Sequence, residues 1–109
     1  MSTTTLDYND EVQRDSKPEL VTKVRVFPLK EGANLGHFRG MATIEISNAF
    51  SIRGLRIMQR DDGQLFVGYP VDAFYKGEEH RYMVEPLNED VKAAVEHAVL
   101  AKWHEVMQG

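Results

Sequence analysis

At 109 residues the chain has enough length for one hydrophobic core, and its composition, 42% hydrophobic and 28% charged, is that of an ordinary globular domain. No run approaches the roughly 20 apolar residues of a membrane span, so no membrane partner is expected, and the absence of cysteine excludes disulfides, thiolate metal sites and cysteine nucleophiles. The formal charge of −4 argues against a uniformly basic polyanion binder.

That average conceals an uneven distribution. Residues 1–22 carry two basic and five acidic side chains, residues 23–60 carry seven and two, and residues 61–109 carry four and ten. The opening residues, Met1 to Asp10, lack the basic and apolar regions of a secretory leader, which leads to an expectation of a cytoplasmic protein. Residues 1–22 are polar, with no apolar period, and read as a flexible acidic tail ahead of a domain over 23–109.

From Lys23 the pattern alternates. Val24 and Val26 fall on one side and Arg25 and Phe27 on the other, a half-buried strand that Pro28 marks as an edge. Glu31 to Gly36, with two glycines and an asparagine, reads as a hairpin loop. Ala42, Ile44 and Ile46 then alternate with Thr43, Glu45 and Ser47, giving one buried and one wetted row, and Asn48-Ala49 makes a tight turn.

Phe50 and Ile52 share a parity that Leu55 and Ile57 do not. A glycine at the slip, Gly54, predicts a β-bulge that leaves Arg53 and Arg56 both pointing away from the core. Asp61-Asp62-Gly63 is the next turn. The continuous apolar run Leu65 to Tyr69 predicts a strand covered on both faces, in the middle of the sheet. His80 to Val84 is expected to form a last short strand.

Asn88 is a good N-cap, and Glu89 and Asp90 put negative charge where the helix dipole favours it, so a helix is expected to about Met107. Val91, Ala94, Val95, Ala98, Val99, Trp103 and Val106 span its apolar arc, which Leu100 and Met107 widen. One sheet face does not need an arc this wide. Cover by a second copy or by the N-terminal tail is one account, and a helix that wraps the sheet edge is the other. The fold class is therefore α+β: a small antiparallel sheet with a C-terminal helix on or beside it.

Three stretches taken in order resemble the SpoVG family, the stage V sporulation protein G or septation regulators. They are Val24-Arg25-Val26 with Met41 to Ile44; Phe50 to Ile57 with Gly63 to Pro70; and Glu85 to Asn88 with His97 to His104. The resemblance covers roughly residues 23 to 106. It implies a homodimer that binds DNA or RNA and acts in gene regulation, septation and sporulation. One departure stands out: relatives carry a lysine–arginine pair just after the proline that ends the second of these stretches, Pro70 here, where this chain has Val71-Asp72-Ala73.

Nucleic-acid affinity comes mainly from Lys and Arg that neutralise phosphates, so a binder gathers them on one face. Arg25, Arg53 and Arg56 are the candidates on the sheet, with Arg39 at its margin and Lys76, His80 and Arg81 on the following loop. Phe27, Phe74, Tyr75 and Tyr82 are candidates for base stacking. Phe74, Tyr75, Leu100, Trp103 and Met107 are candidates for a dimer interface. The alternative reading is a protein-interaction module of the same fold, in which the altered Val71-Asp72-Ala73 loop meets a protein partner.

His97 and His104 share a helix face but are separated by about 10.5 Å of rise, too far for one metal ion. No metal and no cofactor are expected. No nucleophile elbow, phosphate loop or HExxH motif occurs, and Asp61-Asp62 is accounted for as turn residues, so no enzyme is expected either.

Overall fold

β1 (Val21–Pro28), β2 (Phe38–Ile46), β3 (Phe50–Gln59), β4 (Leu65–Gly68) and α1 (Glu89–Gln108) follow one another in a computed structural model that describes residues 19–30, 34–79 and 81–108. The strands pair antiparallel with their sequence neighbours, in the order β1-β2-β3-β4. Among the described residues, four strands and one C-terminal helix make the α+β arrangement that the sequence predicts. β1 begins at Val21, two residues before the alternation at Lys23. Residues 1–18, most of the expected tail, and Glu31-Gly32-Ala33 of the expected hairpin loop lie outside the described residues.

Alternation sets the two faces of the sheet. On the inner face Val24 pairs with Ile44, and Ala42 pairs with Val26 on one side and Leu55 on the other. Ser47 and Asn48 turn β2 into β3 with positive φ of 52° and 56°, and the Ala49 amide donates to the Ile46 carbonyl at 2.8 Å, so the turn centres one residue earlier than Asn48-Ala49. Between Ile44–Ile52 and Ala42–Leu55 the register shifts by one residue on β3, and Gly54 sits there with φ of 85°. That is the bulge the phase slip predicts. Gly63, with φ of 92°, closes the β3–β4 turn by donating its amide to the Arg60 carbonyl at 2.9 Å.

Asn88 caps α1: its Oδ1 accepts the Val91 amide at 2.9 Å. Val95, Val99 and Trp103 recur every four residues and are the helix's buried stripe. They meet Ala42, Ile44, Leu55, Ile57 and Val67 in one core, where full burial of a Leu, Ile or Val side chain is worth about 1.5–3 kcal/mol. α1 crosses the inner face against both edge strands, β1 and β4.

Four expectations are corrected. The run Leu65 to Tyr69 is not the sheet's middle: β4 is an edge strand of four residues. Its apolar character on both faces has separate causes. Val67 is buried in the core beneath α1, while Phe66 on the outer face lies under the Arg60 guanidinium, 4.8 Å from its ring centre. The Glu96 carboxylate on α1 accepts the Val67 amide at 3.4 Å, satisfying a donor that an edge strand would leave bare.

The last strand expected over His80 to Val84 is reduced to a single bridge, Val71 with Tyr82, flanked by amide bonds from Asp72 to the Arg81 carbonyl and from Met83 to the Pro70 carbonyl. Pro70 and Pro86 bracket the segment and supply no ladder donors, so pairing cannot spread. Trp103, expected at a dimer interface, belongs to the protomer's own core, 7% exposed. The apolar arc is narrower than its sequence reads, with Ala94, Val106 and Met107 exposed.

Candidate nucleic-acid interface

The outer face of the sheet, opposite α1, is built by the other parity of each strand. Lys23 pairs with Glu45, Arg25 with Thr43, and Phe27 with Met41, so β1 contributes Lys23, Arg25 and Phe27. β3 contributes Ser51 and Arg53 and, past the bulge, Arg56, which stands opposite Met41. Lys23, Arg25, Phe27, Thr43, Glu45, Ser51 and Arg53 line one concavity of about 590 Å³. Its charged wall is three cations against one carboxylate, Glu45, and Arg56 adds a fourth cation on the same exposed face. Concave surfaces lined by one sign of charge concentrate field lines and draw counter-ions.

Among the described residues none of these cations enters an ion pair: the pairs are His37–Asp61 at 2.8 Å and Lys102–Glu105 at 3.1 Å, both away from the concavity. Hydroxyls of Thr43 and Ser51 add donors and acceptors to the concavity's wall, and Phe27, 53% exposed, supplies an aromatic ring at its end.

Of the residues that the sequence singles out, the structure brings Arg25, Arg53 and Arg56 together on this face. Arg39 does not join them as a free cation. It is half-buried, donating through Nε to Gln59 Oε1 at 2.8 Å and through a terminal nitrogen to the Gly36 carbonyl at 2.6 Å. Gln59 in turn donates to the Gly63 carbonyl, so Arg39 ties the β1–β2 connection to the β3–β4 turn. Lys76 and Arg81 lie on the hairpin of residues 70–83, where Arg81 packs 5.3 Å from the Tyr75 ring centre. His80 falls outside the described residues.

Lys23 escaped the sequence reading, although it shares Arg25's parity and the signal was there. Four of the proposed stacking or interface aromatics are exposed: Phe27, Phe74, Tyr75 and Tyr82, with Phe74 90% exposed at the hairpin tip. Asp72 shapes that tip, its carboxylate accepting the Phe74 amide and its carbonyl the Tyr75 amide. Leu100 is half-buried against the core and Met107 is exposed at the helix end.

On the inner side Tyr69 carries a buried hydroxyl that finds no hydrogen-bond partner among the described residues. Burial, and next the Glu96 carboxylate, push its ionisation above the usual tyrosine range. Among the described residues no three metal-type ligands gather, and His97 and His104 are both exposed on α1.

The arrangement of strands, bulge and C-terminal helix can now be set beside known proteins. The sequence model of the SpoVG family matches residues 20–105, nearly the whole sheet-and-helix unit. The chain belongs to the SpoVG family. It is 31% identical over 86 residues to the septation protein SpoVG 2 of Listeria monocytogenes serotype 4b (strain F2365), covering 79% of each chain. To the septation protein SpoVG of Geobacillus thermodenitrificans (strain NG80-2) it is 30% identical over 84 residues, 77% of this chain and 82% of that one. In this SpoVG-family chain, as in the sequence reading, Val71-Asp72-Ala73 follow the proline after β4, and they form the stem of the aromatic-tipped hairpin. No helix is long and apolar enough to cross a membrane among the described residues.

Proposed function

We propose that this SpoVG-family chain is a non-catalytic regulatory protein that binds DNA or RNA on the concave outer face of its sheet. The observation that carries this reading is the gathering of Lys23, Arg25, Arg53 and Arg56 on one exposed face, where Glu45 is the one carboxylate among the described residues lining the concavity, in a chain whose formal charge is −4. Phosphates are the ligand that such a face attracts, and strands at sheet spacing present the cations as a track rather than a point. The names of the relatives support a role in septation, and cytoplasmic gene control is the setting in which such a binder acts.

The active unit is a homodimer, supported by Phe74, Tyr75, Met83 and Leu87, apolar side chains left exposed on one segment after β4. The same residues favour a second reading, a protein-interaction module whose hairpin meets a protein partner. Titration of labelled single- and double-stranded nucleic acid at several salt concentrations separates the two. Tight binding at low salt that weakens steeply with added salt supports the first; no binding of either probe at low salt rejects it and leaves the second.

A further inference from the structure

The outer face has a second hollow, and its floor carries no side chain. Gly68 of β4 stands opposite Arg56 of β3, and a Cβ built on Gly68 would meet Arg56 Cβ and Met58 Cγ at 3.8 Å, an ordinary contact. The glycine is therefore not forced by crowding or, lacking a positive φ, by backbone conformation. What it leaves open is a space of about 220 Å³ walled by Arg56, Met58, Phe66, Tyr69, Val71 and Tyr82. Pockets for drug-sized ligands run from about 300 Å³ upward, so this hollow suits a single planar ring system. On the outer side it offers two aromatic rings, Phe66 and Tyr82, and one guanidinium, with no carboxylate, while the Tyr69 ring turns to the core.

The Val71–Tyr82 bridge brings Tyr82 to the rim, 48% exposed, and Arg60 stacks on Phe66 beside it. β3 joins the two concavities: Arg53 lines the first and Arg56 the second, three residues or roughly 10 Å along the strand. A cationic track that leads into an aromatic hollow fits a ligand with anionic groups on a backbone and flat rings free to turn inward. Paired and stacked bases of a duplex are not free in this way.

We propose that the Gly68 hollow receives one unstacked base of a single-stranded nucleic acid whose phosphates lie along Lys23, Arg25 and Arg53. The proposal rests on the nucleic-acid reading above and makes its ligand specific: single strands over duplexes, selected by stacking and not by charge. Base stacking on aromatic side chains contributes about 1–3 kcal/mol per base by alanine substitution and tolerates any base, so the hollow adds affinity without a sequence code.

The test is Gly68→Val, which fills the floor with a residue that strands favour. Anisotropy titrations use labelled oligothymidine and a blunt duplex, each at several salt concentrations. The expected result is a loss of roughly 5- to 160-fold in oligothymidine affinity, unchanged duplex binding and an unchanged salt slope. Tyr82→Leu, at a half-exposed rim position, is the second variant and decides the matter if Gly68→Val does not fold. Wild-type affinity for oligothymidine in a folded variant overturns the proposal, as does an equal loss on both probes. In those cases the salt dependence survives, whereas wild-type protein that binds neither probe overturns the nucleic-acid reading itself.

Discussion

Removing two of the three cations in the concavity, Arg25→Ala with Arg53→Ala, tests the interface quantitatively. Both side chains are exposed on the outer face and neither enters an ion pair among the described residues, so the fold loses little when they go. For single strands each neutralised phosphate contributes about 0.7 to the slope of log affinity against log salt, which gives a slope of about −2.8 per protomer for Lys23, Arg25, Arg53 and Arg56 together. Raising salt fourfold should then weaken the wild type about 50-fold, and the double variant, with a slope of about −1.4, only about 7-fold. Anisotropy with labelled oligothymidine at four or more salt concentrations reads the slope directly. Glu45→Gln in the same concavity should act in the opposite sense and tighten binding at low salt. A double variant with native far-ultraviolet circular dichroism and an unchanged slope would refute the assignment of this face.

Two predictions concern the scaffold beneath that face. Gly40→Ala should destabilise the domain by about 1–3 kcal/mol, the usual cost of overpacking. The new Cβ would stand 2.8 Å from the Phe27 carbonyl oxygen, 3.0 Å from the Trp103 ring and 3.1 Å from Pro28 Cα, and two of those atoms are backbone of β1. Thermal unfolding should show a midpoint lowered by more than about 4 °C, and an unaltered midpoint would mean that Trp103 does not rest on Gly40 as described. Tyr69→Phe should be neutral or stabilising, because it deletes a buried hydroxyl without a partner among the described residues, and it should blunt the alkaline loss of stability. The sign follows from the raised ionisation of Tyr69: the neutral form is favoured in the fold, its contribution is complete below about pH 10, and it is lost as pH rises toward and through the folded value. Urea unfolding of both proteins between pH 8 and pH 11 checks this, and a steeper alkaline decline in Tyr69→Phe than in the wild type would contradict it.

Much of this was legible in the sequence where a local rule and the tertiary structure agree. The alternation of Ala42, Ile44 and Ile46 named the buried face of β2, and the parity slip at Gly54 located the bulge. Asn88 signalled the helix start through its side chain, which acts three residues away and needs no tertiary partner. β4 was misread because a short apolar run is equally compatible with two-sided burial by strands and with cover by a helix on one side and an arginine on the other. Trp103 was misread because helical periodicity gives the width of an apolar arc and not the depth to which a large ring sinks, which depends on a glycine across the interface, Gly40.

The site divides along the same line. Parity along β1 and β3 put Arg25, Arg53 and Arg56 on one side from the sequence alone. Arg39 looked equivalent, yet its role is set by Gln59 and the Gly36 carbonyl, partners that only the register of β2 on β3 brings within reach. The Gly68 hollow was invisible, since its wall comes from β3, β4 and the hairpin after Pro70, and its defining feature is the absence of a side chain.

The extra residue at Gly54 also reaches further than the local twist it causes. In an unbroken strand, side chains three positions apart project to opposite sides, so Arg53 and Arg56 could never serve one ligand together. The surplus residue converts an odd spacing into a shared orientation, and with it joins the two halves of the binding surface. Deleting that one glycine would leave every arginine in the chain and still take the surface apart, turning either Arg56 toward Trp103 and its neighbours or Arg53 away from Arg25. The electrostatics of this protein are thus held in a backbone count, and the length of β3 is as much a part of its chemistry as its charges.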